Sequence, residues 1–388
     1  MTAHREIGVA VVGFGWMGQV HTRAWARLAQ HYPDAPLRPR FVAVADPDQG
    51  RRRQATDTYG FADAVQDWAS LLERDDLDVI SVCGPNFVHR EVGEAVARSG
   101  RHLWIEKPAG RTAEDTAAIA LAVRKAGVMS AVGFNYRNAP AVEVARELVT
   151  GGRLGRIETV DVRMLADYSA HPDGALSWRF DPEYAGTGVL GDLASHGFDL
   201  ARHVCADQTG PVAELVADQA TFITTRPAAT GAGSHFARGG GERQPVGNED
   251  QASALLRFES GARGHLTASR VAVGEQCAYG IEVHGTDGAL SWDFRRMGEL
   301  RTCLDQDPQD ALWQTRLVAP GDGELSAFQP GSGMAMGFDD LKVVEAHRLA
   351  ESITTGVQHG AGIDDAVVAA ELVHAMVRSF EEQGWVSP

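Results

Sequence analysis

The segment Val9-Ala10-Val11-Val12-Gly13-Phe14-Gly15-Trp16-Met17-Gly18 constrains this chain more than any other. Its short apolar, partly β-branched run reads as a buried strand, and the glycines follow without a gap. In such a strand–turn–helix the first glycine makes the tight turn, the second admits a pyrophosphate to the backbone, and the third lets helix and strand pack closely. The helix N-terminus then offers N–H groups and the positive end of its dipole to phosphate. The expected fold is therefore an α/β unit with a parallel sheet that binds a dinucleotide. Gly13, Phe14, Gly15, Trp16, Met17 and Gly18 are its first expected cofactor contacts.

The pattern downstream agrees. Strand-like runs at 7–12, 41–45, 78–82, 102–105 and 128–132 alternate with amphipathic helical segments, the rhythm of a doubly wound sheet. Thr112, three residues before Asp115, reads as a helix start, and Gly127 as its stop. After Pro140 a helix runs to about Thr150, and strands then follow one another at 157–165, 212–224, 253–258, 262–271, 279–283 and 289–294. That succession predicts a mainly antiparallel sheet. The Gly-, Ala- and Arg-biased stretch 226–247 reads as a mobile surface insertion, 320–337 as a second loop, and 339–383 as two helices. The predicted organisation is an α/β Rossmann domain over 1–132, an α+β substrate-binding and oligomerisation domain with a large, mostly antiparallel open sheet over 133–338, and C-terminal helices over 339–388 packing back on the domains.

Composition narrows the function. The chain's 388 residues, 44% of them hydrophobic, suffice for two cores. A formal charge of −16 opposes a nucleic-acid footprint, and Arg51-Arg52-Arg53 reads as a solvated helix face. Cys83, Cys205, Cys277 and Cys303 lie far apart without metal-ligand spacing, so neither a disulfide framework nor a metal is expected. No signal-like segment and no 18-residue apolar run occurs, which makes the cytoplasm the expected location and a membrane partner unexpected.

Asp46, closing the strand at 41–45, is the acidic residue expected to bind the adenine ribose hydroxyls and repel a 2′-phosphate. It lies farther from the glycines than the usual spacing of about 20 residues, because the proline-bearing segment 30–40 lengthens the connection. NAD is thereby favoured over NADP, although Arg51 is within reach of a 2′-phosphate and an Asp before Pro also initiates turns.

Two further segments carry polar groups to strand ends: Cys83-Gly84-Pro85-Asn86-Phe87-Val88-His89 and Glu106-Lys107-Pro108. Ligands of an open α/β sheet sit at the carboxyl ends of its strands, so Asn86 and Lys107 are expected to face the nicotinamide half of the cofactor. Proline restricts the backbone of Lys107, for which an exposed lysine paired with Glu106 is the competing reading. In Gly188 to His196, Asp192 and His196 stand four apart and share a helix face, where a carboxylate can orient an imidazole as general base. A surface ion pair or a metal site are the alternatives, the latter disfavoured because no further ligand stands at recognisable spacing apart from His203 and Asp199 lower on the same stripe.

Together with Gly133-Phe134-Asn135-Tyr136-Arg137, Pro140-Ala141-Val142 and Gly155-Arg156-Ile157, these motifs resemble the glucose-fructose oxidoreductase, inositol dehydrogenase and rhizopine-catabolism family, Gfo/Idh/MocA, over nearly the whole chain. The resemblance implies a dehydrogenase of a sugar, anhydrosugar, glycoside or inositol. It implies Lys107, Asp192 and His196 in one active site at the domain interface, a cis Lys107–Pro108 bond, and Pro85, Asn86, His89, Glu106, Lys107 and Asn135 along the cofactor. Tyr136, Arg137, Arg163, Tyr168, Trp178 and Arg179 join Lys107, Asp192 and His196 as implied substrate contacts, and a homodimer or homotetramer as the implied assembly. Within the family the resemblance leans toward levoglucosan, glucoside and inositol dehydrogenases. A glycosidase using transient oxidation at C3, or a non-catalytic NAD(P)-binding sensor, are the other activities the family holds.

Overall fold

The computed structural model describes residues 4–229, 237–304, 307 and 309–388. The chain forms two compact units, Met1–Asn135 with Gly337–Val368 and Tyr136–Met336 with Ala369–Pro388.

The first unit opens β1 (Arg5–Val12), α1 (Trp16–His31), β2 (Leu37–Ala45), α2 (Gln49–Asp57), β3 (Asp63–Val65), β4 (Val79–Val82), α3 (Asn86–Arg98), β5 (His102–Ile105), α4 (Ala113–Ala126) and β6 (Ser130–Val132). Its sheet has the order β3-β2-β1-β4-β5-β6 with every pair parallel. Ile7, Val9 to Val12 and all of β4 are buried, the continuous apolar pattern that a sheet covered on both faces requires. The order reverses between β1 and β4, so the loops leaving those strands flank the crevice in which such sheets bind ligands.

The expected strands are all present, and β2 begins earlier than its apolar run suggested. Pro39 lies inside it, beside Ile7 of β1, at a height where β3 has not yet joined on the other edge, so its missing N–H costs no ladder bond. Thr112 caps α4 by accepting from the Asp115 N–H at 3.1 Å, and Gly127 ends it in the left-handed region at φ 66°.

The second unit contains α5 (Pro140–Thr150), β7 (Ile157–Leu165), the single turn α6 (Pro182–Ala185), α7 (Ser195–Thr209), β8 (Val212–Ala220), β9 (Thr225–Pro227), β10 (Arg243–Pro245), β11 (Gln251–Phe258), β12 (Arg263–Ser269), β13 (Ala278–Gly285), β14 (Gly288–Asp293), β15 (Glu299–Leu304) and β16 (Gln314–Leu317). Eight of these strands form a sheet in the order β16-β15-β14-β13-β7-β12-β11-β8, antiparallel except for the β7–β12 pair. Val160, Val162 and Met164 of β7 and Leu266 of β12 are buried on the face that carries α7. There Gly197 brings the helix so close that a Cβ would lie 3.0 Å from both Val162 and Leu266. The alternate residues face the other way and are polar, Asp161, Arg163, His265 and Glu282 among them.

The stretch 226–247 departs from a simple mobile insertion. β9 and β10 pair as a ribbon, and Arg226 is buried, its guanidinium donating to the Ser169 and His171 carbonyls at 2.5 and 3.0 Å and lying over Phe180. Residues 230–236 of that stretch lie outside the described residues.

The chain ends in α8 (Phe338–Thr355) and α9 (Ile363–Glu382). α8 belongs to the first unit, where Asp339 and Asp340 accept from Arg23 and Arg27 of α1, each at 2.5 Å. α9 starts there, its Ile363 N–H donating to Ser130 Oγ, and passes into the second unit after Val368, where Val386 pairs with Leu215 of β8. Among the described residues no helix is long and apolar enough to cross a membrane.

Candidate functional site

The glycine turn is shaped for a ligand. Gly13 has φ 85°, and a Cβ there would meet the Gly84 backbone at 2.7 Å. A Cβ on Gly18 would lie 2.2 Å from the Gly13 carbonyl, so this glycine sets how closely α1 packs on β1. Around Gly15 the nearest atom to such a Cβ is Arg51 Nη1 at 4.0 Å, which leaves space for a phosphate beside the start of α1. Gly15 caps α1 without a side chain, so the first-turn N–H groups remain for a ligand. Phe14 points the other way, fully buried against Tyr59 and Phe61, so its ring does not face the turn. Trp16 is exposed and stacks on Phe338 at 5.3 Å, and Met17 is half-buried.

Asp46 is buried and already committed. One carboxylate oxygen accepts from the Phe14 N–H at 2.7 Å and the other from the Asp48 N–H at 2.8 Å, with Arg51 Nη1 3.6 Å away. The residue thus ties the end of β2 to the glycine turn.

At the next strand ends, Pro85 caps α3 and Asn86 is its first residue. The His89 ring nitrogens lie 2.8 Å from the Pro108 and Gly84 carbonyl oxygens, linking the loop after β4 to that after β5. Burial holds the pKa of His89 below its ordinary value. Lys107 follows β5 by two residues, and the Lys107–Pro108 bond is cis. Glu106 differs from its expected role along the cofactor: its carboxylate is turned into the core, accepting from Lys342 Nζ at 2.6 Å with His21 Nε2 at 2.9 Å. Asn135 is buried, and its Nδ2 has no protein partner, leaving a donor for a ligand. A glycine cradle, a phosphate-ready helix start and polar groups at neighbouring strand ends together fit a dinucleotide.

In the second unit the segment carrying Asp192 is a π-helical turn, Leu190–Ala194, that runs directly into α7 with His196 in its first turn. Such turns are rare and concentrate at functional sites. The buried Glu249 holds the entry, one carboxylate oxygen accepting from the Gly188 and Leu190 N–H groups at 2.8 and 2.9 Å. Tyr168 donates its hydroxyl to Asp192 Oδ2. Burial and the neighbouring Asp192 push the Tyr168 pKa well up, so it remains a donor. The Tyr136 ring lies 4.6 Å from that of His196, and Tyr279 and Phe294 complete the aromatic wall at 5.3 and 4.9 Å from Tyr136.

The second unit therefore brings together Tyr136, Tyr168, Asp192 and His196. Arg137 and Arg163 depart from the implied set of substrate contacts. Arg137 is buried in a two-point ion pair with Asp199, one turn along from His196, and braces α7. Arg163 lies on the sheet face opposite α7, because β7 alternates and its neighbours Val162 and Met164 face the helix. Trp178 and Arg179 share a 3₁₀ turn with the guanidinium 4.4 Å from the indole, and the Arg179 carbonyl accepts from Asn248 Nδ2. Tyr279 and Glu249 escaped the sequence reading. Tyr279 sits in a strand pattern that core packing explains equally well, and the only signal for Glu249 is the acidic pair Glu249-Asp250 opening β11.

Comparison with known proteins agrees with this architecture. Residues 7–134 match an oxidoreductase family described by its NAD-binding Rossmann fold, and residues 142–291 match the GFO/IDH/MocA C-terminal domain. A levoglucosan dehydrogenase of Pseudarthrobacter phenanthrenivorans is 31% identical over 386 residues, covering 98% of each chain. An inositol 2-dehydrogenase of Rhizobium meliloti is 27% identical, covering 97% of this chain and 98% of its own. A solved levoglucosan dehydrogenase in complex with NADH superposes with a TM-score of 0.92 at 30% identity over 99% of both chains. The chain belongs to the GFO/IDH/MocA family of oxidoreductases, and its first unit is that family's NAD-binding Rossmann fold.

Proposed function

We propose that this protein is an NAD-dependent dehydrogenase that oxidises a secondary hydroxyl of a sugar, anhydrosugar, glycoside or inositol. The observation that carries the reading is the Tyr168–Asp192 hydrogen bond on the turn that leads into His196, with Tyr136 against the imidazole. It gives a histidine base a carboxylate partner whose own orientation is fixed. His196 takes the hydroxyl proton. Asp192 stabilises the imidazolium that results, and Tyr168 keeps that carboxylate aimed. Lys107 donates a hydrogen bond to the substrate oxygen, offsetting the negative charge that develops there as the proton leaves. NAD⁺, when bound at Gly13 to Gly18 and Asp46, is the hydride acceptor. The aromatic wall of Tyr136, Tyr279 and Phe294 suits the C–H face of a polyhydroxylated ring.

The similarity to levoglucosan and inositol dehydrogenases supports the substrate class. This reading includes a cytoplasmic homodimer or homotetramer, for which the open eight-stranded sheet of the second unit offers a face. The test is NADH formation with levoglucosan, inositols, glucose, xylose and simple glucosides. Substrate-dependent NADH supports the reading, and aglycone release without accumulated NADH overturns it. Lys107→Ala and His196→Ala should keep NADH affinity and each lower kcat by about 10²- to 10⁴-fold. Unchanged turnover in both would refute the assigned roles.

A further inference from the structure

The core of the first unit holds a cluster of charge that the proposed chemistry does not use. Lys342 of α8, fully buried, donates to Glu106 Oε1 at 2.6 Å and to Glu345 Oε1 at 3.1 Å. Glu345 also accepts from Trp104 Nε1 of β5. His21 of α1 stacks on Trp104 at 3.7 Å and brings Nε2 within 2.9 Å of the same Glu106 oxygen. His21, Glu106 and Glu345 present ligand atoms within 4.8 Å of one another, as a metal site would, but the cation among them is the ammonium of Lys342.

Burying such a group is costly, and an apolar cluster of equal volume commonly serves stability as well or better. Its position is informative. Glu106 is the residue before Lys107, and its backbone N–H donates to the Val82 carbonyl while Oε2 lies where a Cβ on Gly133 would stand, 2.5 Å away. On the other side, the Pro108 carbonyl is held against His89. Lys107 therefore sits between two anchored residues, and the anchor of the first is an ammonium 236 positions later in the chain.

We infer that Lys342 is a positioning residue for the redox reaction, fixing Glu106 in the core so that β5 delivers Lys107 in one orientation. The inference rests on the role proposed for Lys107. Burial alone would push the Glu106 carboxyl upward, but Lys342 and His21 outweigh it and hold the acid far below its ordinary range, so the pair is ionic at every pH at which the enzyme would be assayed.

The test compares Lys342→Met, Lys342→Met/Glu106→Gln and Glu345→Gln in the full chain by thermal melting, NADH binding, kcat and KM. Lys342→Met strands a buried carboxylate and should melt earlier. The double variant removes that charge and should recover most of the melting temperature. Because both variants remove the ammonium and leave residue 106 only the His21 ring and its own backbone bond, both should show kcat lowered by up to about 100-fold, the cost of an ångström-scale misplacement, with NADH affinity retained. Glu345→Gln keeps the Lys342–Glu106 pair and should keep kcat. A double variant with wild-type kcat, or Glu345→Gln losing as much as Lys342→Met, would show a purely structural role and overturn the inference. If Lys342→Met does not fold, the double variant decides alone. Lys107→Ala, run in parallel, separates the two claims: retained turnover there refutes the role of Lys107 itself.

Discussion

Glu345→Gln should change the way the stability of the first unit depends on pH. Burial, helped by the charge of Glu106, raises the Glu345 carboxyl from its ordinary 4.5 to about 7, against the opposing pull of Lys342. In the unfolded chain the acid ionises near 4.5, whereas in the folded protein it keeps its proton until about 7. Between those values the folded state binds more protons than the unfolded one, so stability falls as pH rises through the window and is level beyond it. A gap of that size corresponds to about 3 kcal/mol at ~1.4 kcal/mol per pH unit. Glutamine still accepts from Trp104 and Lys342 but cannot ionise. The variant should therefore gain about 3 kcal/mol on the wild type between pH 4.5 and 8. His21, which burial lowers to about 4, contributes a slope of opposite sign, losing stability as pH falls below its ordinary 6.5. Because His21 is common to both proteins, the difference between them isolates Glu345. Urea unfolding of both across pH 4.5 to 8, followed by tryptophan fluorescence, to which the buried Trp25 and Trp104 of this unit contribute, measures it. A difference in unfolding free energy that stays constant across this range would refute the reasoning.

Three further outcomes follow from the geometry. Arg137→Met removes the two-point ion-pair partner of the buried Asp199 and should cost about 3–5 kcal/mol in unfolding free energy; a loss below about 1 kcal/mol would mean that the pair does not brace α7. Tyr168→Phe removes the donor to Asp192 and should lower kcat about tenfold while leaving KM for NAD⁺ near its wild-type value, and equal kcat in the two proteins would separate Tyr168 from the chemistry. Asp46→Ala should raise KM for NAD⁺ and shift the NADP to NAD preference toward NADP, because it removes both the repelling charge and the tie to the Phe14 N–H; a preference ratio that does not move would assign Asp46 to the turn alone.

Which parts of the fold were legible follows from how each element is stabilised. The runs at 7–12 and 103–105 are apolar and buried because both sheet faces are covered, and such runs are visible in one dimension. β3, β15 and β16 are short or polar and exist through their neighbours in the sheet, so no local pattern marks them. Thr112 and Gly127 bound α4 as read, since a cap is chemistry within four residues. The stretch 226–247 misled because its Gly and Ala content conceals Arg226, whose partners lie more than 50 positions away.

The sequence by itself determined the glycine turn between β1 and α1 and the acid at the end of β2, because each is a matter of residue type at short spacing; the roles proposed for Lys107, Asp192 and His196 rest on the family resemblance. Tertiary structure decided how those groups are held. It turned Glu106 into the core against Lys342, gave Asp192 a tyrosine donor and set its turn on Glu249. It also paired Arg137 with Asp199 and sent Arg163 to the opposite face of the sheet. The physical reason is the range of the interactions. A turn or a cap is made by residues a few positions apart, whereas a buried charge needs a partner wherever in the chain one can be brought within hydrogen-bond distance.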